Sequence, residues 1–426
     1  MESMKNLIET VFCLVQKWLG SADDSREVKH PAATGRQVEK SPAGKVTDAL
    51  MKMEDFLGEQ YDFRFNNLTG ETEYRMRHVS GCQFVAVGQR DLNSFCIAAR
   101  KSGLDCWDRD ISRYIYSDSI EEYHPFHLFM NELPHWDGTD RVDGLARRVS
   151  EAPLWVEGFH RWLLGMTAQW LGMDVLHANS VAPVLVSRKQ GKQKSTFCKM
   201  ILPGELQRYY TDSFDLASQA GAERKLSEFG LINLDEFDKF SPRKMALLKN
   251  LMQMAGLNIR KAHQKNYSSL PRIASFIATS NQKELLTDPT GSRRFLCVEI
   301  EEKIDCSPVD HAQLYAQLKA ELLAGERYWF TGEEEAKIMA SNAAFYKSPV
   351  EEEVFYSCFR PAEYGEEALS LSSAEIFKRL KKCNPAAMRS VSAAHFGKLL
   401  VAMGVERKHT KYGNFYQVVS LQTVDI

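Results

Sequence analysis

Four short apolar runs between residues 181 and 300 constrain the fold of this chain more than any other feature. Each run lies next to polar residues that can handle phosphate: the loop at 188–196, the pair Asp235 and Glu236, the amide Asn281, and the pair Arg293 and Arg294. Short apolar runs bounded by polar segments are typical of buried strands. Their order predicts an α/β fold in which polar side chains lie at the ends of the strands.

The segment at residues 188–196, RKQGKQKST, has the sequence context of a phosphate-binding loop. An apolar strand at 184–187 precedes it and an apolar helical run at 197–202 follows it, as such loops require. In these loops, backbone N–H groups and a helix N-terminus surround the phosphates. A lysine reaches the β- and γ-phosphate oxygens, and a serine hydroxyl joins Mg²⁺. Lys194 and Ser195 suit these two roles.

ATP and Mg²⁺ are therefore the predicted cofactors. The predicted cofactor-binding residues are six residues of the loop and one carboxylate further along the chain: Gln190, Gly191, Lys192, Lys194, Ser195, Thr196 and Asp235. Ser195 and Asp235 are the predicted metal ligands. Arg188 and Gln193 stand where glycines are usual, and a non-glycine residue forced to positive φ costs about 1 kcal/mol or more. A basic surface loop is the alternative interpretation.

The polar residues downstream are the predicted catalytic groups: Glu236, Asn281, Arg293 and Arg294. Asp235 and Glu236 end an apolar strand, which suits one carboxylate on a Mg²⁺-bound water and one beside the attacking water. Asn281 can orient that water, although it can also simply cap its strand. The two arginines suit an arginine finger that acts on a nucleotide held by a neighbouring subunit. Paired arginines on a loop also form solvated salt bridges.

Several runs of the sequence resemble the virulence-associated protein E family, particularly its Bacteroides-type members. They include AERKLSEFGLINLDEFDKF, LPRIASFIATSN and LLTDPTGSRRFLCVEI, and the resemblance is strongest over residues 126–300. That family is similar to superfamily 3 helicases and is often linked to primases and mobile elements. The resemblance implies an AAA+/superfamily 3 P-loop core with the residue roles given above. The family's glycine before the loop lysine is Gln193 here.

Residues 257–272 contain four Lys or Arg and no acid. The resemblance implies a β-hairpin here that points into the channel of a ring. Its polar residues would then contact the phosphate backbone of single-stranded DNA: Arg260, Lys261, His263 and Lys265. Contact with nucleotide, or simple solubilisation of a turn, is the alternative interpretation.

The C-terminal segment at 372–416 has nine Lys or Arg against two acids, a formal charge of 9 − 2 = +7, in a chain whose net charge is −2. Its pattern of helix, helix, strand, turn and strand outlines a winged helix. Its predicted DNA contacts are one residue on the second helix and three on the wing: Lys398, Arg407, Lys408 and Lys411. Winged helices also serve as protein-interaction modules.

Composition divides the chain into four predicted parts: an amphipathic helix and linker (1–45), a small α+β domain (46–150), the ATPase (151–330), and a connector with the winged-helix-like domain (331–426). The amphipathic helix is predicted at 2–18, and a hairpin of two strands is predicted at 61–78. No apolar run is long enough to span a membrane, so a cytoplasmic location without membrane contact is expected. The nine cysteines form no C-x-x-C pair, which disfavours a structural zinc. No primase signature is visible.

Together these features predict an ATP-dependent, helicase-like ATPase of a mobile element or phage-type replication module. We expect a hexamer-like homo-oligomeric ring, because an arginine that acts in trans needs a neighbour. Single-stranded DNA is the expected ligand, and a primase or another replication protein is a possible partner. The alternative is a nucleotide-gated DNA-binding or assembly protein, potentially of a defence system, that does not hydrolyse ATP because its loop is altered.

Overall fold

The computed structural model describes eight stretches of the chain: residues 42–174, 176–259, 268–287, 292–347, 350–363, 365–389, 393–411 and 413–421. The described residues divide into two compact units, one within residues 42–61 and 88–114 and the other within residues 62–87 and 115–421. The amphipathic helix predicted at 2–18 lies outside the described residues. The three predicted domain boundaries stay predictions.

The smaller unit is helical. It contains two helices and most of a third: α1 (Pro42–Gln60), α2 (Gln89–Lys101) and α3 (Asp108–Ile115). Met53, Leu57 and Phe95 are buried in it. The N-terminus of α2 is closed by Asp91, whose carboxylate accepts the backbone N–H of Gly88 at 2.9 Å, as expected for an acidic residue in the first turn of a helix.

The larger unit begins with a small four-stranded sheet in the order β3-β2-β1-β4. Its strands are β1 (Tyr61–Asn66), β2 (Glu71–Met76), β3 (Val85–Ala86) and β4 (Glu122–Tyr123). The predicted hairpin is confirmed: its turn closes with a 2.8 Å bond from Gly70 N–H to Asn66 C=O, and Gly70 has a φ of 73°. The fully buried carboxylate of Glu73 accepts hydrogen bonds from Arg64 at 2.9 Å and from the Tyr123 hydroxyl at 2.6 Å.

The centre of this unit is a five-stranded sheet in the order β11-β5-β10-β7-β6, in which every pair is parallel. Its strands are β5 (Ala182–Val186), β6 (Tyr210–Thr211), β7 (Leu231–Leu234), β10 (Ser275–Ser280) and β11 (Phe295–Glu299). The strands β5, β7 and β10 are buried along their whole length. Continuous apolar runs are what a parallel sheet covered on both faces requires. The predicted α/β fold with these strands is thus confirmed at the level of a parallel sheet.

Helices cover both faces of this sheet. One face packs on helices that include α4 (Pro125–Asn131), α5 (Val142–Arg147), α6 (Pro153–Trp170), α7 (Lys194–Met200) and α10 (His311–Leu323). The other packs on α8 (Gln219–Glu228) and α9 (Pro242–Leu251). Leu185 belongs to the first core, whereas Val184 and Val186 belong to the second, as the alternation of side chains along a strand dictates.

Two antiparallel strands and a helix complete the central region: β8 (Gly256–Ile259), β9 (Ser268–Pro271) and α11 (Gly332–Ser341). The strands β8 and β9 pair in register from Gly256 with Pro271 to Ile259 with Ser268. The hairpin expected in this region is confirmed in its two strands. Among the described residues, no helix is both long and apolar enough to cross a membrane.

The C-terminal segment has a hydrophobic core of its own, built around Phe355, Ile376, Leu380, Phe396 and Val418. Its elements are α12 (Val350–Cys358), β12 (Phe359–Pro361), β13 (Leu369–Ser372), α13 (Ser373–Cys383), α14 (Ala393–Ala402), β14 (Arg407–Thr410) and β15 (Gly413–Ser420). The strand β15 pairs antiparallel with β12, β13 and β14. The predicted order of two helices followed by two paired strands is confirmed.

Candidate functional site

The loop after β5 turns into α7 through two residues with left-handed backbone conformations. Gly191 has a φ of 78° and Gln193 has a φ of 63°, and the helix begins at Lys194. Across the described residues, only Gln193 and Glu236 (φ 50°) are non-glycine residues with positive φ. Such conformations are disfavoured for residues with a side chain and tend to cluster at functional sites. Here both of them line the same cavity.

This cavity lies at the carboxyl edge of the parallel sheet and has a volume of about 270 Å³. It is lined by the loop and by residues that follow β7 and end β10: Gln190, Gly191, Lys192, Gln193, Lys194, Ser195, Thr196, Asp235, Glu236, Thr279 and Asn281. The structure therefore brings together every predicted cofactor-binding residue and two of the four predicted catalytic residues. It adds Gln193 and Thr279, which the sequence did not identify as site residues.

Lys194 is the buried cation of the cavity, with 8% of its surface exposed. Its ammonium donates hydrogen bonds to Asn281 Oδ1 at 2.8 Å and to the Ser187 carbonyl at 3.3 Å, and both acceptors are uncharged. Burial lowers the pKa of Lys194, and the more distant carboxylates of Asp235 and Asp238 oppose that effect. No carboxylate in the described part of the chain forms an ion pair with it. A buried ammonium without an ion-pair partner suits an anionic ligand such as phosphate.

The register of the sheet places the carboxylate of Asp235 beside β10. Leu234 pairs with Ala278, so the next residues, Asp235 and Thr279, lie side by side, and the Thr279 hydroxyl donates a hydrogen bond to Asp235 Oδ1. Asp235 and the Ser195 hydroxyl line the same cavity. Two oxygen donors of this kind fit Mg²⁺, which keeps several waters and takes few protein ligands. Within the described residues, no group of three or more His, Cys, Asp or Glu side chains could hold a metal.

Glu236 lies at the rim of this cavity. Its carboxylate forms a 2.6 Å ion pair with the Lys239 ammonium on the following 3₁₀ turn, and both side chains are more than half exposed. An exposed pair of this kind contributes little to stability and is easily exchanged. The Glu236 carboxylate is therefore free to change partners at little cost.

The two predicted arginines are not part of the cavity. Arg293 and Arg294 directly precede β11, whose first residue Phe295 pairs with Ala182 at the beginning of β5, whereas the loop follows Val186 at its end. The length of β5 separates the two edges by roughly 15 Å. The Arg293 guanidinium forms a 3.1 Å ion pair with the carboxylate of Glu335.

The predicted nucleic-acid contacts of the hairpin, Arg260, Lys261, His263 and Lys265, lie outside the described residues. The base of the hairpin is fixed by Arg272, which is fully buried and donates from Nη2 to the Asn179 carbonyl at 2.7 Å and from Nε to the Ala274 carbonyl at 2.9 Å. The predicted C-terminal contacts are all exposed: Lys398, Arg407, Lys408 and Lys411.

The fold and the cavity define an α/β protein with a candidate phosphate site at the carboxyl edge of a parallel sheet. Residues 130–347, slightly more than half of the chain, match the family described as the virulence-associated protein E-like domain, and the chain therefore belongs to that family. Residues 348–418 match a domain of unknown function described from B. Theta (DUF3874). The family assignment made from the sequence is confirmed.

Two solved structures resemble this chain at low identity. The apo structure of the NrS-1 C-terminal region (305–718) is 12% identical, with a TM-score of 0.43 over 88% of this chain and 99% of that one. The A-form apo structure of the same region is 12% identical, with a TM-score of 0.41 over 88% of this chain and 100% of that one. No curated protein matches the chain.

Proposed function

We propose that this chain is a Mg²⁺-dependent ATPase with an AAA+/superfamily 3-type P-loop core, serving as a helicase or translocase in a replication module of a mobile element. The observation that carries the proposal is the cavity at the carboxyl edge of the parallel sheet. It combines a buried cation, a helix N-terminus, two carboxylates and an amide: Lys194, the first turn of α7, Asp235, Glu236 and Asn281. Ligands of α/β sheets bind outside the carboxyl ends of their strands.

The residues of the cavity have separate roles in this proposal. Lys194 and the backbone N–H groups at the start of α7 bind the phosphates. Ser195 and Asp235 would hold Mg²⁺, which would supply positive charge beside the phosphoryl oxygens. Glu236 leaves Lys239 and accepts a hydrogen bond from the attacking water, while Asn281 holds that water in line. Thr279 fixes the orientation of the Asp235 carboxylate through its hydroxyl.

In this proposal the loop binds phosphate although it lacks the usual glycine before its lysine. Gln193 adopts the left-handed conformation that a glycine would take without strain, so the side chain is accommodated at a cost of about 1 kcal/mol. This supports retained nucleotide binding. The same strained position favours the second candidate function, a nucleotide-gated assembly protein whose loop binds ATP without turnover.

The arginines before β11 support a homo-oligomer, with a hexamer-like ring as the proposed form. They lie at the opposite edge of the sheet from the cavity, so only a neighbouring subunit can bring Arg293 or Arg294 to a bound nucleotide. Glu335 would release Arg293 on assembly. The cation would then stabilise the charge of the transition state.

Nucleic acid is the proposed second ligand. The hairpin formed by β8 and β9 would present its basic tip, with Arg260, Lys261, His263 and Lys265, to single-stranded DNA. The C-terminal segment has a winged-helix outline, with Lys398 on α14 and Arg407, Lys408 and Lys411 on the wing as further contacts. A separate primase is a proposed partner in the same replication module.

ATP turnover by the purified chain, with and without single-stranded DNA, tests the proposal. We expect turnover that DNA stimulates and that Lys194→Ala abolishes together with nucleotide binding. Binding of ATP without turnover at any DNA concentration would favour the nucleotide-gated assembly protein. Loss of neither binding nor turnover in Lys194→Ala would show that the cavity is not the ATP site.

A further inference from the structure

The strongest concentration of unpaired charge in the C-terminal segment lies on α13. Four of its last six residues are exposed cations: Lys378, Arg379, Lys381 and Lys382. Within the described part of the chain, none of the four forms an ion pair with a carboxylate. The next helix, α14, has one cation, Lys398, among its described side chains. The helix predicted to contact DNA through Lys398 is therefore the less basic of the two.

The dipole of α13 accounts for Lys381 and Lys382 in its last turn, but it does not account for Lys378. Lys378 lies one turn from Lys381 and Lys382, and like charges at these helical spacings repel. The helix does not need these residues for its start, because Ser372 and Glu375 form a capping box with bonds of 3.2 and 2.7 Å. It does not need them for packing, because Ile376 and Leu380 bury its opposite face.

The distribution of charge over the whole chain points to an anionic partner. Residues 372–416 have a formal charge of +7 in a chain of net charge −2, so all other residues together sum to −2 − 7 = −9. Surface charge that served only solubility would not need positive residues to be concentrated in one segment and negative residues in the rest of the chain. A cationic face on an otherwise acidic chain attracts a polyanion.

The residue types on this face also indicate which kind of nucleic acid it suits. Proteins that hold single strands stack the bases on aromatic side chains. The aromatic residue of α13, Phe377, is half-buried against Phe396, with ring centroids 5.9 Å apart. A rigid helix that offers only Lys and Arg suits the phosphates of a duplex, which needs no stacking. We infer that the exposed face of α13 docks the phosphate backbone of double-stranded DNA, without reading its sequence.

Binding of duplex DNA to this docking surface, the exposed face of α13, needs no ATP. Its test is therefore separate from the test of the ATPase. The test variant is K378Q/K381Q/K382Q in the full chain, with Arg379 kept because Glu375 interacts with it. Binding to a fluorescent DNA duplex is measured by anisotropy over a series of salt concentrations. Each lost phosphate contact on a duplex lowers the slope of log K against log salt by about 0.9, so three contacts lower it by about 2.7. We expect that decrease and a roughly tenfold or greater loss of affinity at low salt.

Two further variants make the result decisive. R90Q/K101Q/K337Q removes the same charge from exposed positions elsewhere and should leave the slope unchanged. K378R/K381R/K382R keeps the charge and should restore duplex binding. An unchanged slope in the test variant, or an equal decrease in the control, would overturn the docking surface. A larger loss for the single strand than for the duplex would overturn the choice of duplex. ATP binding measured on the same samples shows whether the phosphate loop is intact.

Discussion

The two edges of the five-stranded sheet differ in how their residues are held. At the carboxyl edge, Gln193 and Glu236 have strained backbones, and Lys194 is buried without an ion-pair partner. At the amino edge, Arg272 donates hydrogen bonds to several carbonyls, and Arg293 is paired with Glu335. The strained backbones lie where we propose phosphate chemistry, whereas Arg272 and Arg293 at the other edge have hydrogen-bond or ion-pair partners. One sheet thus separates the proposed nucleotide site from the proposed contacts to neighbours.

Replacement of both arginines should produce the largest effect if the arginines of the amino edge reach the nucleotide bound by a neighbouring subunit. We expect Arg293→Ala combined with Arg294→Ala to lower the ATP turnover of the assembled protein by about 10³-fold, the lower range for an arginine finger. Nucleotide binding should persist. Mixing this variant with Lys194→Ala protein should restore part of the turnover, because each supplies the edge that the other lacks. No restoration at any mixing ratio would count against action in trans.

Replacement of the general base tests the carboxyl edge. Glu236→Gln should keep ATP binding and lower turnover by about 10²-fold or more, because the amide cannot accept the proton of the attacking water. Glu302→Gln, which changes an exposed carboxylate outside the cavity, is the matched control. Full turnover in Glu236→Gln would remove Glu236 from the mechanism.

The amino edge also has a destabilising group, the buried carboxyl of Asp174. Burial raises the pKa of Asp174 to about 6 despite attraction from Arg272, so its ionisation disfavours the folded state. The folded protein should therefore lose stability as the pH rises from about 4 to about 6. Asp174→Asn should be up to about 3 kcal/mol more stable in urea at pH 7 and equal to the parent near pH 3. A gain that is independent of pH would contradict this origin.

Relief of strain at the carboxyl edge should have a smaller effect. Gln193→Gly removes the side chain from a left-handed position and should raise the free energy of unfolding by about 1 kcal/mol. Gln193→Ala keeps the Cβ and should bring no such gain, which makes it the matched control. Equal stability of the three proteins in urea titrations would show that the backbone at Gln193 is not strained.

The hairpin that rises from the amino edge should show the smallest effect. Lys265→Ala should weaken single-strand binding a few-fold and lower the slope of log K against log salt by about 0.7. Lys337→Ala, an exposed lysine on α11, is the control. An unchanged slope in Lys265→Ala would contradict the assignment of the hairpin to DNA.

Much of the central fold could be predicted from the sequence because buried parallel strands leave a strong local signal. The strands β5, β7 and β10 are short, fully buried runs with apolar centres, and each is followed by or ends in residues that line one cavity. The hairpin of the small sheet could be predicted from its Asn and Gly turn, since Gly70 has a positive φ. These features depend on neighbours in sequence.

Features that depend on pairing across the sheet could not be predicted. Thr279 looks like any polar residue of a strand, and only the register of β10 against β7 brings its hydroxyl to Asp235. The short edge strand Tyr210–Thr211 is too brief to leave a periodic signal. The left-handed backbone of Glu236, which forms an ion pair with Lys239, is not visible in the sequence either.

Gly230, one residue before β7, couples the packing of Phe126 to the position of the strand. A Cβ at this position would collide with the ring of Phe126. That ring packs against Trp170 and Tyr209, at centroid distances of 4.7 and 5.3 Å, and these contacts restrict its movement. Any side chain at position 230 must therefore push the strand itself, and a short strand transmits a displacement of its first residue to its last. A methyl group far from any phosphate would thus be felt at Asp235. We therefore expect the site to be sensitive to substitution of a residue that has no functional group.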